Sequence, residues 1–411
     1  MPEVRPEMLR TPHSGIRRML ELAQKVPAPI MLVNGDPNFR TPGHVIEAAA
    51  EAALQGATGY APGGGINELR EAIAGKVTSR NGLTASAEQV CVTTGACGGL
   101  FTSLMLTIGP GDDVLVPDPG WSNYAAMVHV LGARMVTYPV GSSVGWSLDT
   151  TAVESAVTDR TKVIIVNSPS NPGGVVESAQ LLAEVVAIAE RHELWVLSDE
   201  AYDELLFEGH PTSTAALGDP GGVISVFSFS KTYAMTGWRV GYVVAAREFI
   251  RQLSLHQEPV VSCASTISQH AALAALRGPQ DCVGEMVNAY RTRRDTVVAE
   301  LDALGCGYRT PQGAFFIMID IRPTGLDSWS FARRLLYEEG VGVVPGAAFG
   351  DGGEGYVRVT LAAQQELLIE GVTRLGRFVA RASADSSGRD PGAVRAGHGP
   401  GSSAGGGVLR A

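Results

Sequence analysis

Positive charge is scarce in this chain: 32 Lys and Arg stand against 42 Asp and Glu, a formal net charge of -10. An acidic surface repels phosphate backbones and anionic lipid, which argues against non-specific nucleic-acid binding and against a role on a membrane surface. Long apolar runs are missing as well. No stretch approaches the roughly 20 residues of a membrane span, and the opening Met1-Pro-Glu-Val-Arg-Pro-Glu7 is not followed by the apolar core of a signal peptide. The five cysteines (Cys91, Cys97, Cys263, Cys282, Cys306) are odd in number, scattered and without a Cys-x-x-Cys pair. Reduced thiols and a cytoplasmic protein are expected. No histidine belongs to a His-x-x-x-His or other short ligand cluster, so no metal is expected.

What is present suits a globular protein with a small-molecule partner. At 411 residues, 45 % hydrophobic and 18 % charged, the chain has material for two domains around sizeable cores. Ile16, Met19, Leu20 and Ala23 fall at helical spacing behind Ser14, a candidate N-cap, and Pro27 and Pro29 close that helix. Apolar, β-branched runs then alternate with helical patterns from His44 to about Gln280. That alternation predicts an α/β fold whose mainly parallel sheet is buried on both faces, with functional residues at strand ends. From Ala382 the composition turns to Ser, Gly and Ala, which reads as a flexible tail over 382–411.

Several strand ends carry chemistry. Val223-Ile-Ser-Val-Phe227 leads into Ser228-Phe-Ser-Lys231, placing a lysine where a buried strand ends. Gln89-Val-Cys-Val-Thr-Thr-Gly-Ala-Cys97 is a strand and glycine turn opening an apolar helix, whose N-terminal N–H groups at Gly95, Ala96 and Cys97 are a seat for phosphate. Either a dinucleotide loop or the phosphate cup of another cofactor would use that seat. Asp199 ends the strand after Leu194, and a buried acid is costly unless it meets positive charge. Arg358 stands mid-strand in Tyr356-Val-Arg-Val-Thr-Leu-Ala362. An arginine there needs an anion, either a substrate carboxylate gripped bidentately or a structural salt-bridge partner. The glycines of Gly59-Tyr-Ala-Pro-Gly-Gly-Gly65 follow no strand and lack Gly-x-Gly-x-x-Gly spacing, so they are not read as a nucleotide loop.

Ser-x-Ser-Lys followed eight residues later by Arg239, in the frame Met-Thr-Gly-Trp-Arg-x-Gly, resembles the lysine motif of the pyridoxal-phosphate-dependent class I/II aminotransferases, the aspartate aminotransferase-like family. Further landmarks of that family recur in order from Ser14 to Ala363. The resemblance implies fold type I: a large cofactor domain over 44–280 with a seven-stranded, mainly parallel sheet, and a smaller α+β domain built from 1–43 and 281–381. It implies a homodimer with shared active sites. It implies that Lys231 forms a Schiff base with pyridoxal 5'-phosphate and transfers the Cα proton, with Asp199 and Tyr202 on the pyridine ring.

The same resemblance assigns the remaining positions. Gly95, Ala96, Cys97, Ser228, Arg239 and a partner's Tyr60 would hold the phosphate. Cys97 stands where relatives often carry a hydroxyl or another small residue, which leaves the backbone amides to act there. Trp121 would stack on the ring, where a tryptophan could otherwise serve simply to pack a core. Asn171, in Asn-Pro-Gly-Gly where relatives show Asn-Pro-Thr-Gly, would donate to the phenolic oxygen and border the substrate. Gly35, in Asn34-Gly-Asp-Pro-Asn-Phe-Arg-Thr-Pro42, would offer a backbone N–H to the substrate carboxylate, and Arg358 would grip that carboxylate. His256 and Glu258 are candidates for side-chain recognition across the dimer.

The activity implied is amino-group transfer between an α-amino acid and a 2-oxo acid. A carbon–sulfur lyase, a decarboxylating deaminase or a γ-substitution enzyme on the same fold stays open, because bond geometry at Cα decides the reaction and no motif spells that out. A ligand-sensing domain of a transcription regulator would call for a basic DNA-binding domain ahead of the body. A nicotinamide oxidoreductase leaves Lys231 and Arg239 unexplained.

Overall fold

The computed structural model describes residues 4–218 and 220–387. Seven strands form the central sheet, in the spatial order Val90–Thr93, Gly241–Val244, Val223–Ser228, Trp195–Asp199, Thr161–Asn167, Asp113–Asp118, Arg134–Pro139. All neighbours run parallel except Gly241–Val244, which is antiparallel to the strands on both sides.

These strands are continuous apolar runs because each face meets a helical layer. The two-residue period divides them between two cores. Val163 and Ile165 point toward Leu100, Leu104 and Val226, whereas Ile164 and Val166 point toward Leu182, Val185 and Phe227. The helix Gly95–Thr107 has no polar face since it lies between sheet and outer helices, and Leu100 and Leu104 are fully buried. Helix Ala179–Arg191 is one-sided: Leu182, Val185, Val186 and Ile188 are buried, and Ser178 caps it by accepting from the Leu181 N–H at 3.2 Å.

A third core joins the two ends of the chain. Met19 and Leu32 pack with Val297, Leu301, Phe316, Phe331, Val359 and Phe378 around a four-stranded antiparallel sheet of Val344–Pro345, Tyr356–Thr360, Phe316–Asp320 and Tyr308–Arg309. Ile30–Met31 pairs in parallel with Val341–Gly342, tying the first segment to the last. Ser14 occupies the N-cap of Gly15–Ala23 without a side-chain cap bond. The last helix, Gln365–Ser387, runs past Ala382, where composition had suggested a tail; Ala382 is buried in this core, so apolar packing carries the helix beyond the change in composition. The rest of that expected tail, 388–411, lies outside the described residues. Among the described residues no helix is long and apolar enough to cross a membrane.

The carboxyl ends of the parallel strands meet at one edge of the sheet. Asp118, Asn167, Asp199 and Ser228 end four of them, and the loops that follow carry Trp121, Asn171 and Lys231.

Candidate active site

The edge opens into a cleft of about 710 Å³. Eleven of the thirteen residues expected at the site line it: Gly35, Ala96, Cys97, Trp121, Asn171, Asp199, Tyr202, Ser228, Lys231, Arg239 and Arg358. They come from three parts of the sequence that only folding brings together. Gly95 sits directly behind this lining, beneath the Arg239 guanidinium, and Tyr60 is elsewhere.

Lys231 is placed by a short local device. Ser228 ends its strand and its hydroxyl accepts from the Ser230 N–H at 3.1 Å, starting the single helical turn Phe229–Thr232 that carries the lysine. The next loop holds two non-glycine residues in the left-handed region, Ala234 at φ 50° and Arg239 at φ 52°. Such conformations cost on the order of 1–3 kcal/mol each and persist where surroundings enforce them. Thr41 does so: its hydroxyl donates to the Ala234 carbonyl at 2.7 Å and accepts from Trp238 Nε1 at 3.0 Å.

The Lys231 ammonium donates to the Gly35 carbonyl at 2.6 Å, so the carbonyl of Gly35, rather than its N–H, makes the contact to the lysine. Burial, with Arg239 and Arg358 nearby, lowers its pKa from 10.5 to about 8, against an opposing effect of Asp36. A neutral amine is therefore accessible near physiological pH. In the cofactor-free protein this has a stability consequence. Between about pH 8 and 10.5 the unfolded chain holds more protons at this position, so the penalty is full below pH 8 and fades as pH rises to 10.5. Cofactor-free Lys231→Met is expected to resist urea better than cofactor-free wild type at pH 7, by about 3 kcal/mol, with the gap closing near pH 10.5. A gap unchanged with pH would contradict the assignment.

Phosphate-binding chemistry lies beside the lysine. Thr94, the N-cap of helix Gly95–Thr107, makes no side-chain cap bond, which leaves the first-turn N–H groups and the positive end of the dipole toward the cleft. Gly95 has φ +70°, and a Cβ there would stand 2.7 Å from Arg239 Nη2. Arg239 Nη1 donates to the Thr236 carbonyl at 2.7 Å, and among the described residues Arg239 has no carboxylate partner. Gly241 completes the packing, since a Cβ there would lie 2.7 Å from the Ala96 nitrogen. Burial raises the Cys97 thiol pKa, keeping it protonated, so the thiol brings no negative charge to the cup.

Asp199 is buried and its pKa is raised by burial, against a hydrogen bond donated by Tyr124 Oη to Oδ2 at 2.7 Å and one from the Ala201 N–H at 3.1 Å. Trp121 lies edge-on to Tyr124 with ring centroids 5.4 Å apart. Tyr202 is buried between Phe315 and Phe316, and burial raises its phenol pKa. Arg358, with no exposed surface, donates from Nη1 to Asn171 Oδ1 at 2.8 Å and from Nη2 to the Val33 carbonyl at 2.7 Å. Its guanidinium is stacked 4.1 Å from the Phe316 centroid, and its Nε is buried without a partner. Burial lowers its pKa to about 9. Among the described residues no acid pairs with it.

Some site residues were not singled out in the sequence. Tyr124 is one, three residues past Trp121. Tyr124→Phe should lower kcat about tenfold with KM little changed, since a hydrogen bond to a charged group contributes roughly 1.5–3 kcal/mol; an unaltered kcat would reduce Tyr124 to packing. Asn167 is another, donating from Nδ2 to the Asp199 carbonyl at 2.9 Å and accepting the Asn171 N–H at 2.8 Å. A polar residue closing an apolar strand was the available signal. Ser230 was visible within the lysine motif. Ile16 and Leu100 also line the cleft, and their helical patterns signalled only core.

Two sets of candidates lie outside the cleft. Tyr60 is 89 % exposed, on a loop held by Thr266 Oγ1 donating to the Gly59 carbonyl at 2.6 Å. His256 and Glu258 are exposed on the helix Arg247–Val261. Among the described residues no group of three or more potential ligands could hold a metal ion.

With this geometry in hand, known proteins offer a comparison. A profile of the family described as aminotransferase class I and II matches residues 28–375. An aspartate aminotransferase of Rhizobium meliloti is 35 % identical over 391 residues, 90 % of this chain and 95 % of that protein. An aspartate/prephenate aminotransferase of Thermus thermophilus is 38 % identical over 89 % of this chain and 94 % of its own. Among solved structures, Thermus thermophilus aspartate aminotransferase with maleate superposes at a TM-score of 0.88 with 36 % identity, covering 92 % of this chain and 100 % of that one. An aromatic aminotransferase from Pyrococcus horikoshii gives 0.84 with 37 % identity, covering 89 % and 99 %.

Proposed function

Since the chain belongs to the class I and II aminotransferases, with their type I fold, we propose that its cleft binds pyridoxal 5'-phosphate and moves an amino group between an α-amino acid and a 2-oxo acid, with Lys231 as the proton-transferring base. The protein is an aminotransferase, and its family implies the cofactor. The observation that carries the residue assignment is Arg239 and Arg358 in one cleft with Lys231, neither arginine having a carboxylate partner among the described residues. Two unspent guanidinium groups fit two ligand anions, a phosphate and a carboxylate.

Pyridoxal phosphate, when bound, supplies an aldehyde that captures amines and a ring that takes up the electron pair of a breaking Cα–H bond. The side chains fit those needs. The Gly95, Ala96 and Cys97 amides, Ser228 and Arg239 would hold the phosphate, and Trp121 would cover the ring face. Asp199, restrained by Tyr124 and Ala201, would hold a proton at the ring nitrogen. Asn171, whose Oδ1 is occupied by Arg358, keeps its amide N–H groups for the phenolic oxygen beside Tyr202. Arg358 would fix the substrate carboxylate and so choose which Cα bond faces the ring. Lys231, near neutrality, would take the Cα proton and return it.

A two-fold dimer completes this reading. Leu54 is 90 % and Tyr60 89 % exposed, and Leu255, Val260 and Val261 also present apolar surface to solvent. A monomer gains nothing from such exposure, whereas a second copy would cover it and receive Tyr60. Amino-donor and 2-oxo-acid pairs incubated with the cofactor-loaded protein should exchange their amino group. Consumption of an amino acid with release of carbon dioxide or sulfide, and no new amino acid, would overturn transamination.

A further inference from the structure

Resting on the aminotransferase reading above, we infer that the amino acid served by this cleft carries an uncharged apolar or aromatic side chain, and that aspartate and glutamate are poor substrates. The cations lining the cleft are Lys231, Arg239 and Arg358. Lys231 is committed to proton transfer, Arg239 to the helix terminus and Arg358 to the α-carboxylate. Among the described residues, no fourth cation lines the cleft to meet a second substrate carboxylate.

The space available to a side chain leads the same way. Trp121 lines both the cleft and an adjoining crevice of about 720 Å³, and consecutive residues Gly15 and Ile16 line one each. Phe349 lines this crevice, and its ring lies 4.9 Å from the Arg358 guanidinium that faces the cleft. Its walls include Pro12, Met135, Trp329 and Ala348, and its ionisable groups are the Asp118 carboxylate and the His13 imidazole. Arg18 is not among its lining residues; that guanidinium stacks on the wall residue Trp329, 4.5 Å from the ring centroid. The stretch Leu255-His-Gln-Glu-Pro-Val-Val-Ser262, exposed except for the buried Gln257, which a partner could bring near, contains neither Lys nor Arg.

A second carboxylate entering this crevice would lose hydration, meet no lysine or arginine among the lining residues, and approach Asp118, with the His13 imidazole as the one basic group there. Unpaired charge in a desolvated site is strongly disfavoured, and such a site discriminates by repulsion as well as by fit. An apolar side chain instead exchanges water for Trp, Phe and Met surfaces.

The test uses the cofactor-loaded protein. Calorimetric titration with 3-phenylpropionate and with maleate compares two unreactive acids that share one carboxylate and differ at the far end. The phenyl acid should bind at least tenfold tighter. In the donor half-reaction, read from the cofactor absorbance, phenylalanine or leucine should exceed aspartate and glutamate at least tenfold in kcat/KM. Maleate binding as tightly as 3-phenylpropionate, or aspartate turning over as well as phenylalanine, overturns the inference and leaves the aminotransferase intact. No conversion by any donor overturns the catalytic reading and the inference with it.

Discussion

Lys231→Ala is expected to fold, to hold pyridoxal phosphate without a covalent link, and to lose turnover by about 10⁴-fold or more, the upper range for removing a positioned acid–base group. The side chain lies at the cleft wall, and among the described residues its one hydrogen bond is to the Gly35 carbonyl, so its loss leaves the sheet and the lysine-bearing turn intact. Ser228 and Thr41 hold that turn independently of the lysine. The decisive measurement is mass analysis after borohydride treatment: wild type should carry the reduced cofactor on the peptide containing Lys231, and the variant should not. Residual activity within tenfold of wild type would transfer the proton chemistry to another group and end the proposed mechanism.

Arg358→Ala should leave the cofactor bound while raising KM for amino acids about 100-fold, as expected from losing charge-assisted hydrogen bonds of roughly 1.5–3 kcal/mol to a carboxylate. The arginine sits mid-strand, fully buried, with Phe316 on its face and Asn171 and Val33 fixing two of its nitrogens. Its geometry is planar and forked, so Arg358→Lys should recover little, because a point ammonium cannot serve Asn171, Val33 and a carboxylate together. Binding of acetate or 3-phenylpropionate checks this apart from turnover. Unchanged carboxylate affinity in the alanine variant would return Arg358 to a structural role.

The sheet was legible because its strands are buried on both faces, and an apolar β-branched run such as Val163-Ile-Ile-Val166 has few other uses. Lysine after a buried strand, with a glycine-flanked arginine eight residues on, likewise showed in the sequence, since short-range spacing fixes how a turn presents its side chains. The end of the last helix did not show. Composition changes at Ala382, but burial of that residue against the third core extends the helix to Ser387.

Residue type and spacing therefore determined the α/β alternation and a lysine at a buried strand end, and the motif resemblance named most of the side chains that line the cleft around Lys231, because those depend on contacts close in sequence and on motifs with few alternative uses. Only the tertiary structure decided that Tyr124 and Asn167 hold Asp199 in place, that Thr41 restrains the strained loop at Ala234, and that Arg358 has no acidic neighbour among the described residues. It also decided which apolar residues, Ile16 among them, face a ligand instead of a core. The reason is physical: a hydrogen bond or a cavity wall between positions more than thirty residues apart is set by how sheets and helices stack, and no local pattern encodes which of several similar side chains will meet.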